Sequence, residues 1–305
     1  NTHTPGTIGK IWEQHHSEFA KFILSTNVKN IIEIGGSNGI LAEKVTKKKQ
    51  IKWLIVDPDA SCKNKKIKLK KKFFDKKINL SFKNKDVVHS HTLEHIYYPD
   101  EFLKQLSDKM DLGKKMFISV PNIKQMLKKK YTNALNFEHT YYLDQKIIKY
   151  LLEKNGFKIL RKEFFRSDHS IFYETKKVLK KKNSPLKNQY KENKKLFLNF
   201  FNFYKNEVRK LNKKISKKKS VYLFGAHIFS QFLLSFGLKD KNIKYIIDND
   251  KKKHEKRLYG TNKYVKSTSV LKLERDPIII LRAGVYNDEI KSDITKNINK
   301  NAIFI

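Results

Sequence analysis

The chain of 305 residues is poor in cysteine and in long apolar segments. Its one cysteine, Cys62, excludes an internal disulfide framework and a zinc site built from several cysteines of this chain. No run approaches the ~18 apolar residues of a membrane-spanning helix, and the start lacks the basic-then-apolar layout of a secretory signal. These absences predict a soluble protein without a membrane span, in a reducing cytoplasm. Because the first residue is Asn1 and not methionine, we expect the natural chain to begin earlier.

Acidic residues and arginine are also scarce. The chain has 67 Lys and Arg against 30 Asp and Glu, which gives a formal charge of +37. Such an excess is typical of proteins that bind nucleic acids or anionic membranes, because clustered basic residues release phosphate counterions. Only six of the basic residues are arginine, however, and the 61 lysines are scattered from end to end. Because arginine is the better reader of phosphates and bases, we interpret the excess as solvated surface and expect no specific nucleic-acid partner.

Hydrophobic patterning divides the chain into three regions. Over residues 1–180, apolar runs of strand length (NIIEI, KWLIVD, DVVHSH, MFISV and FKILRKEFF) alternate with helix-compatible stretches, which predicts a parallel sheet covered by helices. Residues 181–219 are rich in lysine and predict a helical linker with one buried face, a lipid-surface helix being the alternative. Residues 220–305 begin again with a strand and a glycine loop. The predicted fold class is therefore α/β: a Rossmann-like sheet with helices on both faces, plus a smaller Rossmann-like C-terminal domain.

A loop with three glycines separates a strand from a helix in the segment VKNIIEIGGSNGILAEKV, residues 28–45. Glycine lets the backbone turn sharply and lets a ligand approach the main chain, while N–H groups at the helix start favour electron-rich atoms. Glu33, at the end of the strand, would repel a pyrophosphate and attract a cation such as an amino group. Asp57 follows about twenty residues later, where a carboxylate can accept both hydroxyls of a ribose. A ligand that has a ribose and an ammonium group but no phosphate is S-adenosylmethionine.

The motif EIGGSNG resembles the first motif of class I S-adenosylmethionine-dependent methyltransferases, with Ser37 where many members have a glycine. VDPD resembles their second motif, DVVHSHTLEHIYYPDEFL their fourth-strand motif, and GKKMFISVPN and LLEKNGFKIL their later elements. A Rossmann domain that binds NAD, or no ligand, is the alternative, since the fold alone does not decide. The resemblance and the loop together imply these cofactor-binding residues: Glu33, Gly35, Gly36, Ser37, Asn38, Gly39, Asp57, Pro58, Ser90 and His91.

The C-terminal half is similar to the C-terminal domain of sugar C-methyltransferases that act on nucleotide-linked deoxysugars. The cysteine-rich zinc domain that often precedes it in that family has no counterpart here. The resemblance implies that His95, in LEHIYYP, and Glu138 and His139, in NFEHTYY, line the substrate pocket. Asn136 replaces a family tyrosine, and HTPGTIG near the N-terminus lacks another. These departures weaken the prediction of a keto-sugar acceptor more than the prediction of methyl transfer.

Methylation at carbon requires a base that removes a proton beside a carbonyl, and donors that hold the enolate oxygen. We predict His139 as the base, His95 as the oxyanion partner and Glu138 as the acid that orients His139. Tyr141 is predicted to contact the substrate, although packing is an equal alternative for it and for Tyr142. His15 and His16 could reach over the site from an N-terminal helix, but adjacent histidines cannot share a helix face and so do not predict a metal pair. No other spacing of His, Asp or Glu predicts a metal site.

The glycine loop of the C-terminal domain, in FGAHIFSQ, offers a second binding function. Gly225 and Asp248, the latter in IIDND, are predicted to hold the nucleotide part of a substrate, or else merely to close a Rossmann-like turn. The predicted function is thus C-methylation of a nucleotide-linked sugar or related glycan precursor. An O-methyltransferase on a glycan precursor is the nearest alternative, and an RNA methyltransferase or basic nucleic-acid-binding protein is a further one. The oligomeric state stays open.

Overall fold

The computed structural model describes residues 9–136, 138–182 and 184–305. They fall into two units with separate sheets and cores. The N-terminal unit extends to Ile123 and includes Glu138–Asn188, and the C-terminal unit consists of residues 124–137 and Gln189–Ile305. Residues 124–137 thus group with the C-terminal unit although they lie inside the first predicted domain. The boundaries predicted at residues 180 and 219 stay a prediction.

The elements are named in chain order. The helices are α1 (Lys10–Leu24), α2 (Ile40–Lys48), α3 (Pro99–Lys109), α4 (Ile123–Lys128), α5 (Gln145–Lys154), α6 (Tyr190–Ile215), α7 (Ile228–Ser235) and α8 (Asn287–Asn297). The strands are β1 (Asn30–Ile34), β2 (Lys52–Val56), β3 (Lys68–Lys70), β4 (Asp86–Ser90), β5 (Lys115–Pro121), β6 (Phe157–Phe165), β7 (Ser170–Lys177), β8 (Val221–Phe224), β9 (Tyr245–Asp248), β10 (Val265–Ser267), β11 (Ile278–Ile280) and β12 (Ile303–Phe304).

The sheet of the N-terminal unit has seven strands in the order β3-β2-β1-β4-β5-β7-β6. The first five are parallel, and β7 is antiparallel to both neighbours. Strands β1, β4 and β5 are almost continuously buried, as expected where helices cover both faces of a parallel sheet. Because β1 lies between β2 and β4, the loops after these three strands meet at one edge of the sheet. The predicted α/β fold is confirmed.

Two helices show how the sequence directs packing in this unit. Helix α1 buries apolar residues at three-to-four spacing, including Ile11, Phe19 and Ile23. Helix α5 begins where the carboxylate of Asp144 accepts hydrogen bonds from the N–H groups of Lys146 and Ile147, a side-chain cap worth about 1 kcal/mol. Each fully buried Phe or Ile contributes about 1.5–3 kcal/mol, so packing outweighs the cap.

The C-terminal unit has five parallel strands in the order β10-β9-β8-β11-β12. Its long helix α6 buries one stripe at helical spacing, namely Phe200, Tyr204, Val208, Leu211 and Ile215, while lysines occupy much of the rest of its surface. Among the described residues, no helix is long and apolar enough to cross a membrane.

Candidate active site

The loop from β1 to α2 leaves no room for side chains at its glycines. Gly35 has φ +76°, and a Cβ there would lie 2.4 Å from Oγ1 of Thr92. A Cβ on Gly36 would lie 2.8 Å from the carboxyl carbon of Glu33. The loop therefore packs directly on its own strand and on the turn that follows β4. That turn carries His95, so the predicted cofactor loop and the predicted catalytic segment are neighbours.

Glu33 is buried beneath this loop, with only 2% of its surface exposed. One carboxylate oxygen, Oε2, accepts a hydrogen bond of 2.9 Å from the indole Nε1 of Trp53. Burial raises the pKa of Glu33 to about 7, against the opposing effect of the Trp53 hydrogen bond, and the charge of Asp57 adds to the increase. A cationic ligand group near Glu33 would favour its ionised form.

Asp57, just beyond β2, holds the loop from the other side. Its Oδ2 accepts a hydrogen bond of 3.0 Å from the N–H of Ser37, and its Oδ1 accepts one of 2.8 Å from the N–H of Asp59. Ser37 has the left-handed backbone conformation, with φ 42°. Asn38 and Pro58, also predicted to bind the cofactor, are exposed beside it. These hydrogen bonds hold Asp57 at the edge of the sheet. The hydroxyls of a ribose could bind the same carboxylate oxygens, in place of these N–H groups or together with them.

His91 occupies the turn after β4 in a conformation that non-glycine residues rarely adopt, with φ 50°. Its Nε2 hydrogen-bonds with Oγ of Ser170 at 2.9 Å, and its Nδ1 lies 3.1 Å from Oε1 of Glu94. Ser90 precedes it at the end of β4 and is half-buried. Backbone strain of this kind is found mainly where surrounding structure holds a functional residue in place.

The predicted catalytic histidines lie side by side. The rings of His95 and His139 are in edge contact, with centroids 5.0 Å apart. Nδ1 of His95 is 3.0 Å from the backbone carbonyl oxygen of Glu138. Since a carbonyl only accepts, Nδ1 carries the proton and donates it. The N–H and Oγ1 of Thr140 both donate to the carbonyl oxygen of Glu94, at 2.9 and 3.1 Å, so the two segments are joined.

Glu94 is the buried acid of this group, with 3% of its surface exposed. Burial raises its pKa, but the hydrogen bond and charge of His91, and the charges of His139 and His95, reverse the effect and leave the pKa below its ordinary value. Burial lowers the pKa of His139 to about 4, and Glu94 is the strongest influence in the opposite direction. The charge of Glu138 acts in the same direction but is the weakest of the influences on His139.

A small cleft opens at this point. It is lined by Glu94, Val120, Pro121, Ile123, His139, Tyr141, Tyr142 and Leu143. Tyr141 and Tyr142 are 45% and 37% exposed, so both can meet a ligand. His139 and Tyr141, predicted separately as base and substrate contact, thus share one cleft with Glu94.

Glu94, His95 and His139 each offer a ligand atom, and these atoms lie within 4.8 Å of one another. A metal ion could therefore be accommodated here. The sequence analysis predicted no metal, and that stays a prediction.

Helix α1 adds a cluster of aromatic residues that includes His15, for which the sequence analysis allowed a position over the site. His15 is fully buried, and its Nε2 is 2.9 Å from Oγ of Ser119. The Trp12 ring contacts the rings of His15, His91 and His169 at centroid distances of 5.0–5.1 Å. The sequence analysis missed Trp53, Glu94 and His169; only Glu94 had a signal, its position next to His95.

The C-terminal unit repeats the device found around Asp57. Gly225 follows β8 with φ +99°. Oδ2 of Asp248, at the end of β9, accepts a hydrogen bond of 2.7 Å from the N–H of Ala226. Nζ of Lys253 lies 3.4 Å from the same oxygen. The predicted pair Gly225 and Asp248 therefore belongs to one strand–loop–strand arrangement.

Comparison with known proteins identifies both halves of the chain. Residues 11–162 match the methyltransferase domain family, and residues 174–305 match the C-methyltransferase C-terminal domain family. No curated protein matches the chain significantly. The two family matches together span most of the chain, which is therefore a methyltransferase enzyme, as predicted. It carries the C-terminal domain of the C-methyltransferases.

Several solved structures are similar to slightly more than half of the chain. The complex of the Trm112 methyltransferase activator with a methyltransferase from Haloferax volcanii contains a chain with a TM-score of 0.47 and 9% identity, covering 56% of this chain and 93% of that one. An S-adenosylmethionine-dependent methyltransferase from Clostridium acetobutylicum gives 0.41 and 13%, with 54% and 92% covered. The magnesium protoporphyrin IX methyltransferase of Synechocystis with bound SAH gives 0.42 and 14%, with 57% and 90% covered.

Proposed function

We propose that this methyltransferase transfers a methyl group from S-adenosylmethionine to a carbon of a nucleotide-linked sugar or a related glycan precursor. The observation that carries the proposal is that two histidines lie side by side next to the glycine loop. His95 is on the turn that packs against this loop, and His139 is on a segment that is hydrogen-bonded to the turn. The C-methyltransferase C-terminal domain supports carbon as the methylated atom.

The cofactor is proposed to bind at Glu33–Gly39 and Asp57. The carboxylate of Glu33 stabilises the ammonium group of the methionine part. Asp57 accepts the ribose hydroxyls, and the main chain of the glycine loop packs against the ligand. Cofactor contacts of Asn38, Pro58, Ser90 and His91 are proposed from the same arrangement.

The chain's own residues supply the base. His139 takes the proton from the carbon beside the acceptor's carbonyl, and the electrons of that C–H bond form an enolate. The enolate carbon attacks the methyl carbon of the donor, the S–CH₃ bond breaks, and S-adenosylhomocysteine leaves. His139 then releases the proton to water. Because burial keeps His139 neutral at pH 7, it is ready to accept a proton without first losing one.

The oxyanion partner is proposed to be His95. Its Nδ1–H already donates to the carbonyl of Glu138, so neutral His95 presents an acceptor at Nε2. It can therefore donate to an enolate oxygen only in its doubly protonated form. The nearby carboxylate of Glu94 stabilises that cation. Glu138 is proposed to orient the two histidines, and Tyr141 to contact the substrate.

The nucleotide part of the acceptor is proposed to bind the Gly225 loop, with Asp248 holding a ribose. Leu223 stands two residues before Gly225, as Glu33 stands two residues before Gly35. This second loop therefore has no carboxylate at the position that would repel a phosphate. Methylation of a sugar hydroxyl is the second candidate function, since His139 could equally deprotonate an alcohol.

The proposal is tested with isotopically labelled S-adenosylmethionine and a panel of nucleotide-linked sugars, including 4-keto sugars. Mass spectrometry of the products should locate the methyl group on carbon. His139→Ala should lower kcat by about 10²–10⁴, the usual contribution of a general base, with little change in S-adenosylhomocysteine affinity. His139→Gln, which keeps much of the size but cannot accept the proton, should lose as much.

A second readout follows the proton alone. With S-adenosylhomocysteine bound in place of the donor, the acceptor should exchange its carbon-bound proton for solvent deuterium, and His139→Ala should abolish the exchange. A methyl group on oxygen with no exchange at carbon would replace this mechanism with O-methylation.

A further inference from the structure

The carboxylate of Glu94 is an acid in the cleft to which the proposed mechanism gives only a supporting charge. It is almost completely buried, and within the described residues its Oε2 has no hydrogen-bond partner. Burying an ionised carboxylate costs several kcal/mol unless a cation faces it. The groups around Glu94 must therefore supply a positive charge, either permanently or during the proton transfer.

The titratable groups around Glu94 are mainly histidines. Nδ1 of His91 is 3.1 Å from Oε1, and ligand atoms of His95 and His139 lie within 4.8 Å of the carboxylate. His89, buried in β4, is also close enough for the charge of Glu94 to act on it. Glu138 contributes its backbone carbonyl to His95, and its charge acts only weakly on His139. Of the two acids next to the histidines, Glu94 is the stronger electrostatic partner.

The backbone of Glu94 also fixes where His139 lies. Its carbonyl oxygen accepts from both donors of Thr140, the residue after His139, and Oγ1 of Thr140 also donates to the carbonyl of Ile96 at 2.7 Å. The backbone of Glu94 thus helps to position His139, and the carboxylate of Glu94 faces the same histidine.

We propose that Glu94 is the positioning residue of the proton transfer: it stays ionised, holds the His139 ring, and stabilises the imidazolium that forms when His139 removes the proton from the acceptor. A buried carboxylate does the same for a histidine base in hydrolytic triads. The charges balance, because the proton that moves from carbon to His139 leaves a negative enolate beside the doubly protonated His95, and the new His139 cation faces the anionic Glu94. This inference rests on the proposed function.

Glu94→Gln is the decisive variant because it keeps the shape and removes the charge. kcat should fall at least ~10²-fold, since an unpaired imidazolium is costly in a buried cleft. KM for the acceptor and the affinity for S-adenosylhomocysteine should change by less than about threefold. The acid limb of the kcat profile should move to lower pH, because the cationic form of His139 loses its partner. Proton exchange into the acceptor should slow in parallel with kcat.

Two further variants serve as controls. Glu94→Asp keeps the charge one methylene farther away and should recover part of the lost kcat, and it also provides the test if the glutamine variant does not fold. Glu163→Gln removes an exposed carboxylate of β6 and should leave kcat unchanged.

Several results would overturn the inference. Full kcat and full exchange in Glu94→Gln would mean that the carboxylate has no part in the proton transfer. Where the glutamine variant does not fold, full kcat in Glu94→Asp would mean that the position of the carboxylate has no part in it. The proposed function would stand in either case. Loss of kcat on treatment with EDTA, restored by Zn²⁺, would mean that Glu94, His95 and His139 hold a metal instead. A wild-type enzyme that exchanges no carbon-bound proton would refute both the inference and the mechanism on which it rests.

Discussion

Replacing Glu33 with glutamine should stabilise the N-terminal unit at alkaline pH and impair cofactor binding. Glutamine has the same size, and its carbonyl oxygen can still accept the hydrogen bond of the Trp53 indole. The substitution removes only the charge. In the wild-type protein Glu33 must either keep its proton or remain buried beneath the glycine loop as a charged carboxylate.

The magnitude follows from the pKa of Glu33, which burial raises from 4.5 to about 7. Because the folded state binds this proton more tightly than the unfolded state, the stability linked to it is complete below pH 4.5 and is lost as the pH rises through 7. At 1.36 kcal/mol per pH unit, the loss is about 3 kcal/mol at pH 8 and above. Glu33→Gln does not titrate, so it should match the wild type near pH 4.5 and exceed it by about 3 kcal/mol at pH 8.

Tryptophan fluorescence can measure this difference, because both tryptophans, Trp12 and Trp53, lie in the N-terminal unit. Urea unfolding of the ligand-free protein is compared at pH 5 and pH 8, with the exposed Glu163→Gln as a control that should show no pH-dependent difference. Calorimetry at pH 8 should show S-adenosylhomocysteine binding at least ~10-fold weaker in Glu33→Gln, because the ammonium loses its partner. A stability difference that is the same at both pH values would refute the reasoning about burial, and unchanged binding would refute the role of the charge.

Two further predictions concern the same unit. Asp57→Ala should weaken S-adenosylhomocysteine binding by about 1–3 kcal/mol in calorimetry, because ribose hydroxyls would be buried without an acceptor, and tight NADH binding without S-adenosylhomocysteine binding would contradict the cofactor site. Burial lowers the pKa of His16 to about 4 and of His169 to about 3, so their contribution to stability is present above pH 6.5 and is lost as the pH falls towards these values. Urea midpoints that stay constant between pH 7 and pH 4 in the wild type, or that fall as steeply in His169→Gln, would contradict this.

Five strands of the N-terminal unit, β1, β2, β4, β5 and β6, were predicted from apolar residues in short segments. Strands β1, β4 and β5 are buried along most of their length, and each contains a short run of adjacent apolar residues that marks it in the sequence. Strand β7 was not predicted, because SIFYETKK mixes apolar and polar residues. In the fold, Glu174 accepts a salt bridge of 2.6 Å from Lys115, and Lys177 hydrogen-bonds with Ser107. These partners are distant in sequence, so a local pattern could not reveal that the polar residues are buried.

The same limit applies to the site. The glycines and acids of the cofactor loop follow one another at fixed spacing, and their physical requirements are local, so the cofactor could be predicted. Trp53 could not be connected with Glu33, because their side chains meet only after β1 and β2 pair in register. Glu94 adjoins His95 in sequence, yet its burial among three histidines depends on the segment after β5 folding back onto the turn after β4.

The two glycine loops of this chain share one backbone arrangement but differ in the charged residues around it. In each unit a carboxylate at the end of the neighbouring strand accepts a hydrogen bond from a loop N–H, Asp57 from Ser37 and Asp248 from Ala226. What differs is the residue two positions before the first glycine. Glu33 gives the first loop a buried acid that suits a cation, whereas Leu223 leaves the second loop without one and Lys253 adds a positive charge beside Asp248. The proposed placement of the two ligands follows this difference in charge, because exchanging them would set the phosphate of the proposed acceptor against Glu33 and the ammonium of the proposed donor against Lys253.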